Sequence, residues 1–350
     1  TAGASGAVGD IDRWSNTMTL SSVPLVRCIQ EEFRLKEDQP HADPPRKAGE
    51  PLYLFPHQIR ILEHVFTPDA EGKLPYSTFI YSAIKKSGKT EIASAVAYAF
   101  TRVYGGEIYS IANDEEAARN RMFTRISETL EVIKDEDEGA FEAIIHPDHH
   151  KRLERNRRIR FQANDQPNIP PHLIQYIPVD YRGEAGGMPA LTVWDELWAY
   201  ASESGERLWS EMQPIPTLAV SMRMVVTYAG YYGESNLLYS IYEAVVNPDP
   251  QTDEPLGEKV PGLEDLPCYQ RGTYFVYWDC EPRMPWHTDE FMQAAKDDPT
   301  LKGREGEYRR LWQNRWSSGA EPFLDIQLID RLMEEGSQMG LERNWLRYQA

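Results

Sequence analysis

Cysteine is scarce in this sequence. Cys28, Cys268 and Cys280 are the three cysteines among 350 residues, and they do not form the closely spaced pairs that hold a structural metal. Their separation also offers no disulfide framework, which favours a reducing compartment and buried core thiols.

Long apolar runs are missing too. No stretch of 18 apolar residues occurs, and a membrane-spanning helix needs about that length. No secretory signal peptide is legible at the start. We therefore expect no membrane partner.

Positive charge is in short supply. The sequence has 37 Lys and Arg against 55 Asp and Glu, a formal net charge of −18. A protein that coats nucleic acid with its whole surface is normally basic, so that class is excluded and any DNA contact must be local. The segment 149–160 reverses the sign locally. It either contacts phosphates or is a solvated connection with internal ion pairs.

A strand, a lysine-bearing glycine turn and an alanine-rich helix are predicted between residues 78 and 104. Such a unit binds nucleotide phosphates through backbone N–H groups and a helix N-terminus. The turn contains Ser87, Gly88, Lys89 and Thr90. In the G-x-x-x-x-G-K-[ST] pattern, the lysine reaches the outer phosphates and the hydroxyl binds Mg²⁺.

The match departs from that pattern at its first position, where Ala83 replaces glycine. Alanine adopts positive φ less readily than glycine, so we expect a variant loop path. Lys85 and Lys86 add positive charge beside the phosphates. The alternative is an accidental S-G-K-T in a surface loop.

Gln58 follows Pro56 at a predicted helix start, 25 positions before Ala83. An amide both donates and accepts, which suits the adenine edge of ATP. Gln58 is therefore a candidate for reading adenine, with an ordinary helix-start amide as the alternative.

A second pattern is the apolar run 190–194 followed by Asp195 and Glu196, about 105 positions after Lys89. In such a pair the first acid holds Mg²⁺ through water and the second orients or deprotonates the attacking water. Neighbouring strand residues point to opposite faces. Glu196 must therefore lie at the strand end, where the chain turns.

Further strands are predicted over 106–112, 158–163, 173–179, 222–230 and 272–279. Helices are predicted over 23–33, from Asn113 or Asp114 to Lys134, and over 237–246. Residues 247–267 have loop composition.

Together these pieces resemble the ATPase half of the terminase large subunit of tailed phages, a DNA-packaging motor. The resemblance covers roughly residues 50–330 and is carried by FPHQIRIL, AIKKSGKT, Arg182-Gly183, LTVWDELW and TYAG. It implies an α/β fold of the ASCE, RecA-like P-loop NTPase class, with a mainly parallel sheet flanked by helices and a small helical C-terminal subdomain.

The resemblance also implies roles for single residues. Lys89 and Thr90 bind phosphate and Mg²⁺, and Asp195 and Glu196 are the Mg²⁺-linked acid and the catalytic glutamate. The segment Thr227 to Gly230 matches the motif that couples hydrolysis to movement. Arg182 matches an arginine that reaches a neighbouring subunit's nucleotide in some members, and a plain loop arginine is the alternative.

Two departures from the family stand out. Many members carry an arginine in the loop where Lys85 and Lys86 stand, and which lysine replaces it, if either does, is open. The family's nuclease is a separate domain with clustered carboxylates, and no second acidic strand-end cluster is visible here. We therefore expect no DNA cleavage by this chain.

The predicted organisation is an N-terminal arm or leader (1–50), a P-loop ATPase domain (51–280) and a helical linker subdomain (281–350). The resemblance implies ATP and Mg²⁺ as cofactors, and double-stranded DNA, a portal protein and a small terminase subunit as partners. It also implies a homo-oligomeric ring, pentameric in the family, in the host cytoplasm. The alternatives are a helicase-like remodelling ATPase, a nucleotide-binding assembly protein without turnover, and a nucleotide kinase.

Overall fold

The computed structural model describes residues 20–112, 119–147, 158–162, 172–178, 187–248 and 255–318. Its strands are β1 (Thr78–Ala83), β2 (Glu107–Ala112), β3 (Arg158–Phe161), β4 (His172–Pro178), β5 (Pro189–Asp195), β6 (Met222–Thr227), β7 (Tyr231–Tyr232), β8 (Glu258–Lys259), β9 (Cys268–Arg271), β10 (Tyr274–Asp279) and β11 (Ser317–Ser318). Within these ranges, nine strands form one sheet in the order β3-β4-β2-β5-β6-β1-β10-β9-β8, and β7 pairs with β11.

Six central strands of the sheet, from β4 to β10, run parallel. At one edge β3 is antiparallel to β4, and at the other β9 and β8 are antiparallel. The strand that leads into the phosphate loop, β1, is separated from the strand that ends in the acid pair, β5, by β6 alone. The predicted mainly parallel α/β fold is confirmed.

The helices are α1 (Pro24–Glu32), α2 (Pro56–Phe66), α3 (Lys89–Val103), α4 (Thr124–Glu136), α5 (Glu138–Ile144), α6 (Glu203–Glu211), α7 (Asn236–Val245), α8 (Asp289–Lys296) and α9 (Glu305–Gln313). A π-helical turn, Arg119–Phe123, precedes α4, and short 3₁₀ turns span Leu197–Ala199 and Pro299–Leu301. No helix among the described residues has the length and apolar character to cross a membrane.

Apolar residues cover both faces of the sheet, which explains its continuous hydrophobic strands. In β1, Phe79 and Tyr81 face a core shared with α1 to α5. Ile80 faces a second core shared with α6 and α7. The alternation follows from the strand period of two, and it produces a sheet sandwiched between helical layers.

The predicted helical pattern near Val23 is confirmed as α1. Leu25, Val26 and Ile29 are fully buried, and α1 packs against α2 and α3. The residues of α1 are therefore attached to the core. The proposed domain boundaries at residues 50 and 280 stay predictions.

The sheet edge near β10 differs from the sequence expectation. Residues 272–279 were expected as one strand after a loop, but the chain forms a hairpin in which Arg271 pairs with Tyr274. Its two-residue turn contains Gly272 at φ 57°, a conformation that glycine adopts without strain. The turn sequence R-G-T lacks the Asn-Gly or Asp-Gly pair that most strongly indicates a hairpin, so β9 was missed.

Candidate active site

The carboxyl ends of three parallel strands meet at one edge of the sheet. β1 leads into the phosphate loop, β5 ends at Asp195 and β6 ends at Thr227. The register pairs Ser82 with Thr227 and Asp195 with Val226, so the loop, the acid pair and the segment after β6 lie side by side. Open parallel sheets bind ligands at this edge.

The phosphate loop leaves β1 at Ala83 and enters α3 at Gly88. Ala83 is the buried last residue of β1, and positive φ falls on Lys86 (68°) and Gly88 (72°) instead. Alanine is tolerated at the first position because that position stays extended. The N-cap residue of α3 is Gly88, which has no side chain to accept a hydrogen bond. The first N–H groups of α3 are therefore available to an anion.

Lys89 is buried and folded back onto the loop. Its Nζ donates to the carbonyl oxygens of Ala83 at 2.8 Å and Ile84 at 3.1 Å, and it lies 4.9 Å from the centroid of the Tyr228 ring. Burial lowers the pKa of Lys89 to about 8, because desolvation disfavours the ammonium. Phosphate oxygens would stabilise this cation more strongly than neutral carbonyls do.

Asp195 is buried and uses only one of its carboxylate oxygens. Oδ2 accepts from Arg121 Nη1 at 2.9 Å, while Oδ1 is buried without a hydrogen-bond partner among the described residues. A buried oxygen without a partner is costly, and a water held by Mg²⁺ would satisfy it. No group of three or more His, Cys, Asp or Glu in the described part of the chain could hold a metal. The unpartnered Oδ1 of Asp195 fits Mg²⁺, which takes most of its ligands from water and phosphate.

Glu196 follows β5 in the left-handed conformation, at φ 57° and ψ 56°, which confirms the expected turn after the strand. Its backbone N–H donates to the Val226 carbonyl at 2.8 Å, and its Oε2 accepts from Trp198 Nε1 at 2.7 Å. Burial raises the pKa of Glu196 to about 7, against the opposing charge of Lys89. A carboxylate that titrates near neutral pH suits a general base.

Arg121 is a site residue that sequence reasoning missed. It lies in the π-helical turn before α4, and its half-exposed side chain pairs with Asp195. Such turns are frequent at functional sites, but a π-turn has no simple sequence pattern. In the sequence Arg121 is one of several arginines in a predicted helix, and nothing there separates it from the others.

Gln58 lies in the first turn of α2 and is 3% exposed. Its Oε1 accepts from the backbone N–H of Phe55 at 2.9 Å, which satisfies a free donor at the helix start. In this conformation the amide carbonyl is occupied by the protein's own backbone. The role of Gln58 in reading adenine stays a prediction.

The remaining predicted residues lie in the turn between β1 and α3 and at the start of α3. The side chains of Lys85 and Lys86 are exposed, the Ser87 hydroxyl donates to a loop carbonyl, and Thr90 is the second residue of α3. The backbone N–H of Lys85 donates to the Leu311 carbonyl of α9 at 2.6 Å. The structure brings these residues to Lys89, and their phosphate and Mg²⁺ roles stay predictions.

The segment after β6 is tightly packed. Thr227 is fully buried, and a Cβ at Gly230 would come within 2.2 Å of Ser235 Oγ at the start of α7. Only glycine fits this approach. The segment is therefore fixed at both ends, against β1 and against α7, while its role in coupling stays a prediction.

Arg182 lies outside the described residues, as does the basic segment up to residue 157. Arg158 and Arg160 are described and belong to the edge strand β3. The role of Arg182 therefore stays a prediction.

Comparison of the sequence with protein-family models and with curated proteins gives no match. The fold does match solved structures. The large terminase of bacteriophage HK97 superposes with a TM-score of 0.53 at 13% identity, over 87% of this chain and 57% of that chain. This chain thus spans a little over half the length of the HK97 protein.

Two further solved structures are more distant. The large terminase ATPase domain of Thermus phage P74-26 has a TM-score of 0.43 at 15% identity, over 73% of this chain and 97% of that domain. The N-terminal domain of the bacteriophage phi29 DNA packaging ATPase has a TM-score of 0.32 at 10% identity, over 59% and 90%. At 13% identity the HK97 match shows the fold.

Proposed function

We propose that this chain is the ATPase motor of a phage terminase large subunit, which couples Mg-ATP hydrolysis to translocation of double-stranded DNA into a procapsid. The observation that carries the proposal is the convergence of Lys89, Asp195 and Glu196 at one sheet edge, beside the segment 227–230. The fold shared with the HK97 large terminase supports it.

Nucleotide binding uses the loop and the start of α3. The phosphates accept hydrogen bonds from the uncapped N–H groups of α3, and Lys89 exchanges its two loop carbonyls for phosphate oxygens. Thr90 and Asp195 would hold Mg²⁺, Asp195 through a water. When bound, Mg²⁺ would neutralise the charge of the outer phosphates.

Hydrolysis depends on Glu196. Its raised pKa makes it a carboxylate that accepts a proton near neutral pH, so it orients the attacking water and takes its proton. Trp198 holds the carboxylate in place through its indole N–H. Arg121 pairs with Asp195 and balances its buried charge.

Coupling follows from the shared contact of Lys89 and Tyr228. The ammonium lies over the Tyr228 ring, and its attraction to the ring depends on distance. When Lys89 turns to the phosphates, the contact with Tyr228 changes. The segment 227–230 therefore responds directly to the presence of the outer phosphates.

The same proposal assigns the partners. A packaging motor acts on double-stranded DNA, docks on a portal protein, receives DNA from a small terminase subunit and works as a ring, here in the host cytoplasm. The superposition covers 57% of the HK97 chain and leaves 43% of it unmatched. These partners are therefore inferred from the motor role alone.

Phosphate release from ATP, measured with Mg²⁺ or EDTA and with or without double-stranded DNA, tests the proposal. We expect Mg²⁺-dependent release that double-stranded DNA stimulates. Nucleotide binding without release under every condition would identify an assembly protein instead. Transfer of the phosphoryl group to a small acceptor would identify a kinase.

A further inference from the structure

A buried arginine of α9, the last helix that the structure describes, packs against Trp198, whose indole N–H donates to Glu196. Arg310 of α9 is 4% exposed, although more than a hundred residues separate it from Glu196. Its guanidinium carbon lies 4.1 Å from the centroid of Trp198, 4.9 Å from that of Tyr228 and 4.6 Å from that of Tyr231. The guanidinium thus fills the space between three aromatic rings.

Arg310 is fixed in this place from its own helix. Its Nη2 donates to Glu307 Oε2 at 2.9 Å, and the other oxygen of Glu307 accepts from the Tyr231 hydroxyl. A planar guanidinium can stack on rings and donate at its edge at once, which an ammonium cannot do. A guanidinium therefore suits these contacts better than an ammonium does.

Of the three rings, Trp198 connects Arg310 to Glu196. Trp198 stacks on Tyr228 with an angle of 23° between the rings, and its indole N–H donates to the Glu196 carboxylate at 2.7 Å. The direction of that N–H depends on the orientation of the indole ring. Arg310 and Tyr228 contact the ring and restrict its rotation.

We infer that Arg310 is a positioning residue for Glu196, acting through Trp198, so that hydrolysis depends on the docking of α9. The inference rests on the proposed function, because it assigns Glu196 its role there. A second contact joins the same helix to the site, since the Leu311 carbonyl accepts from the Lys85 N–H of the phosphate loop. α9 thus contacts both the loop and the group that holds the acid.

The test compares Arg310→Met, Arg310→Lys and a matched control, Arg309→Met, whose side chain is exposed on the same helix. We expect Arg310→Met to lower kcat by about tenfold or more while KM for Mg-ATP stays within about twofold. Arg310→Lys should recover part of kcat, and Arg309→Met should match the wild type. A folded Arg310→Met with wild-type kcat, or an equal loss in Arg309→Met, would overturn the inference.

A second readout does not need turnover. In protein with ¹⁵N-labelled tryptophan, the Trp198 indole resonance is assigned by its loss in Trp198→Phe. We expect it to shift in Arg310→Met and not in Arg309→Met, and an unmoved resonance would contradict the inference. A shift in a chain that never hydrolyses ATP would instead reject the proposed function and leave the contact intact.

If Arg310→Met does not fold, the variant Trp198→Phe tests the inference instead. It removes the indole N–H that donates to Glu196 and keeps an aromatic ring at the position, so kcat should fall with little change in KM. Wild-type kcat in Trp198→Phe would overturn the inference.

Discussion

Glu196 and Lys89 have pKa values shifted in opposite directions within one site. Burial raises the pKa of the carboxyl to about 7 and lowers that of the ammonium to about 8. Both shifts reflect desolvation, and the attraction between the two charges opposes both. A base and a phosphate-binding cation that titrate near neutral pH make activity sensitive to pH in this range.

The expected pH profile of kcat/KM is bell-shaped. Glu196 takes up a proton as pH falls through about 7, and Lys89 loses its proton as pH rises through about 8. Catalysis needs Glu196 deprotonated and Lys89 protonated. The value of kcat/KM for Mg-ATP, which reports the free enzyme, should therefore fall on both sides of this interval.

Lys89→Arg is the matched variant for the alkaline limb. A guanidinium does not titrate in this range, so whatever activity the variant retains should lose its alkaline limb and keep the acid one. A flat profile between about pH 6 and 9 in the wild type would contradict the assignment of both groups.

Single site residues could be predicted from the sequence only where they belong to a local motif. Lys89, Thr90, Asp195 and Glu196 lie in short patterns with a physical reason, and the structure brings them to one sheet edge. Contacts such as Arg121 to Asp195 depend on tertiary packing across 74 positions. No local pattern encodes such a contact.

Helix α9 is followed by a residue, Asn314, that connects the ends of three strands. Asn314 is fully buried and left-handed, at φ 49°. Its side chain donates to Ser82 Oγ and the Asp279 carbonyl, both at 3.0 Å, and accepts from the Ala229 N–H at 2.7 Å. One amide thus connects the ends of β1 and β10 to the residues after β6.

Removing this amide should destabilise the fold. Asn314→Ala leaves the Ala229 N–H and the Asp279 carbonyl buried without partners, and we expect the free energy of unfolding to fall by about 3 kcal/mol. Asn314→Gly loses the same hydrogen bonds but adopts positive φ without strain, so it should be less destabilising by about 1 kcal/mol. Urea unfolding followed by circular dichroism measures both.

Equal stability of Asn314→Ala and the wild type would show that the connection contributes nothing. Equal losses in the two variants would show that the left-handed backbone carries no cost for alanine at this position.

Strands and helices with a clear hydrophobic pattern could be predicted from the sequence. The strands β1, β2, β5 and β6 are continuous apolar runs because helices cover both faces of the sheet, and α3 is an alanine-rich apolar helix. Short elements such as β8 and β9 were not predicted, since two to four residues give no period to detect. The packing of α1 on α3 was not predicted either, because the polar residues around α1 resemble a leader.

The chain as a whole combines an acidic surface with a function that would require DNA. A net charge of −18 repels phosphates at long range, so a DNA-binding surface must be a local reversal of sign. The described part of the segment 149–160 is the edge strand β3, which carries Arg158 and Arg160. The sequence predicts this local excess of positive charge, and the ligand that the segment binds stays a prediction.

The central claim is that Glu196 activates water in an ATP-hydrolysing site, and Glu196→Gln tests it most directly. The amide keeps the shape of the side chain but cannot accept the proton of water. We expect binding of a fluorescent ATP analogue to stay within about threefold of the wild type and turnover to fall by about a hundredfold or more. Turnover at the wild-type rate in this variant would contradict the account.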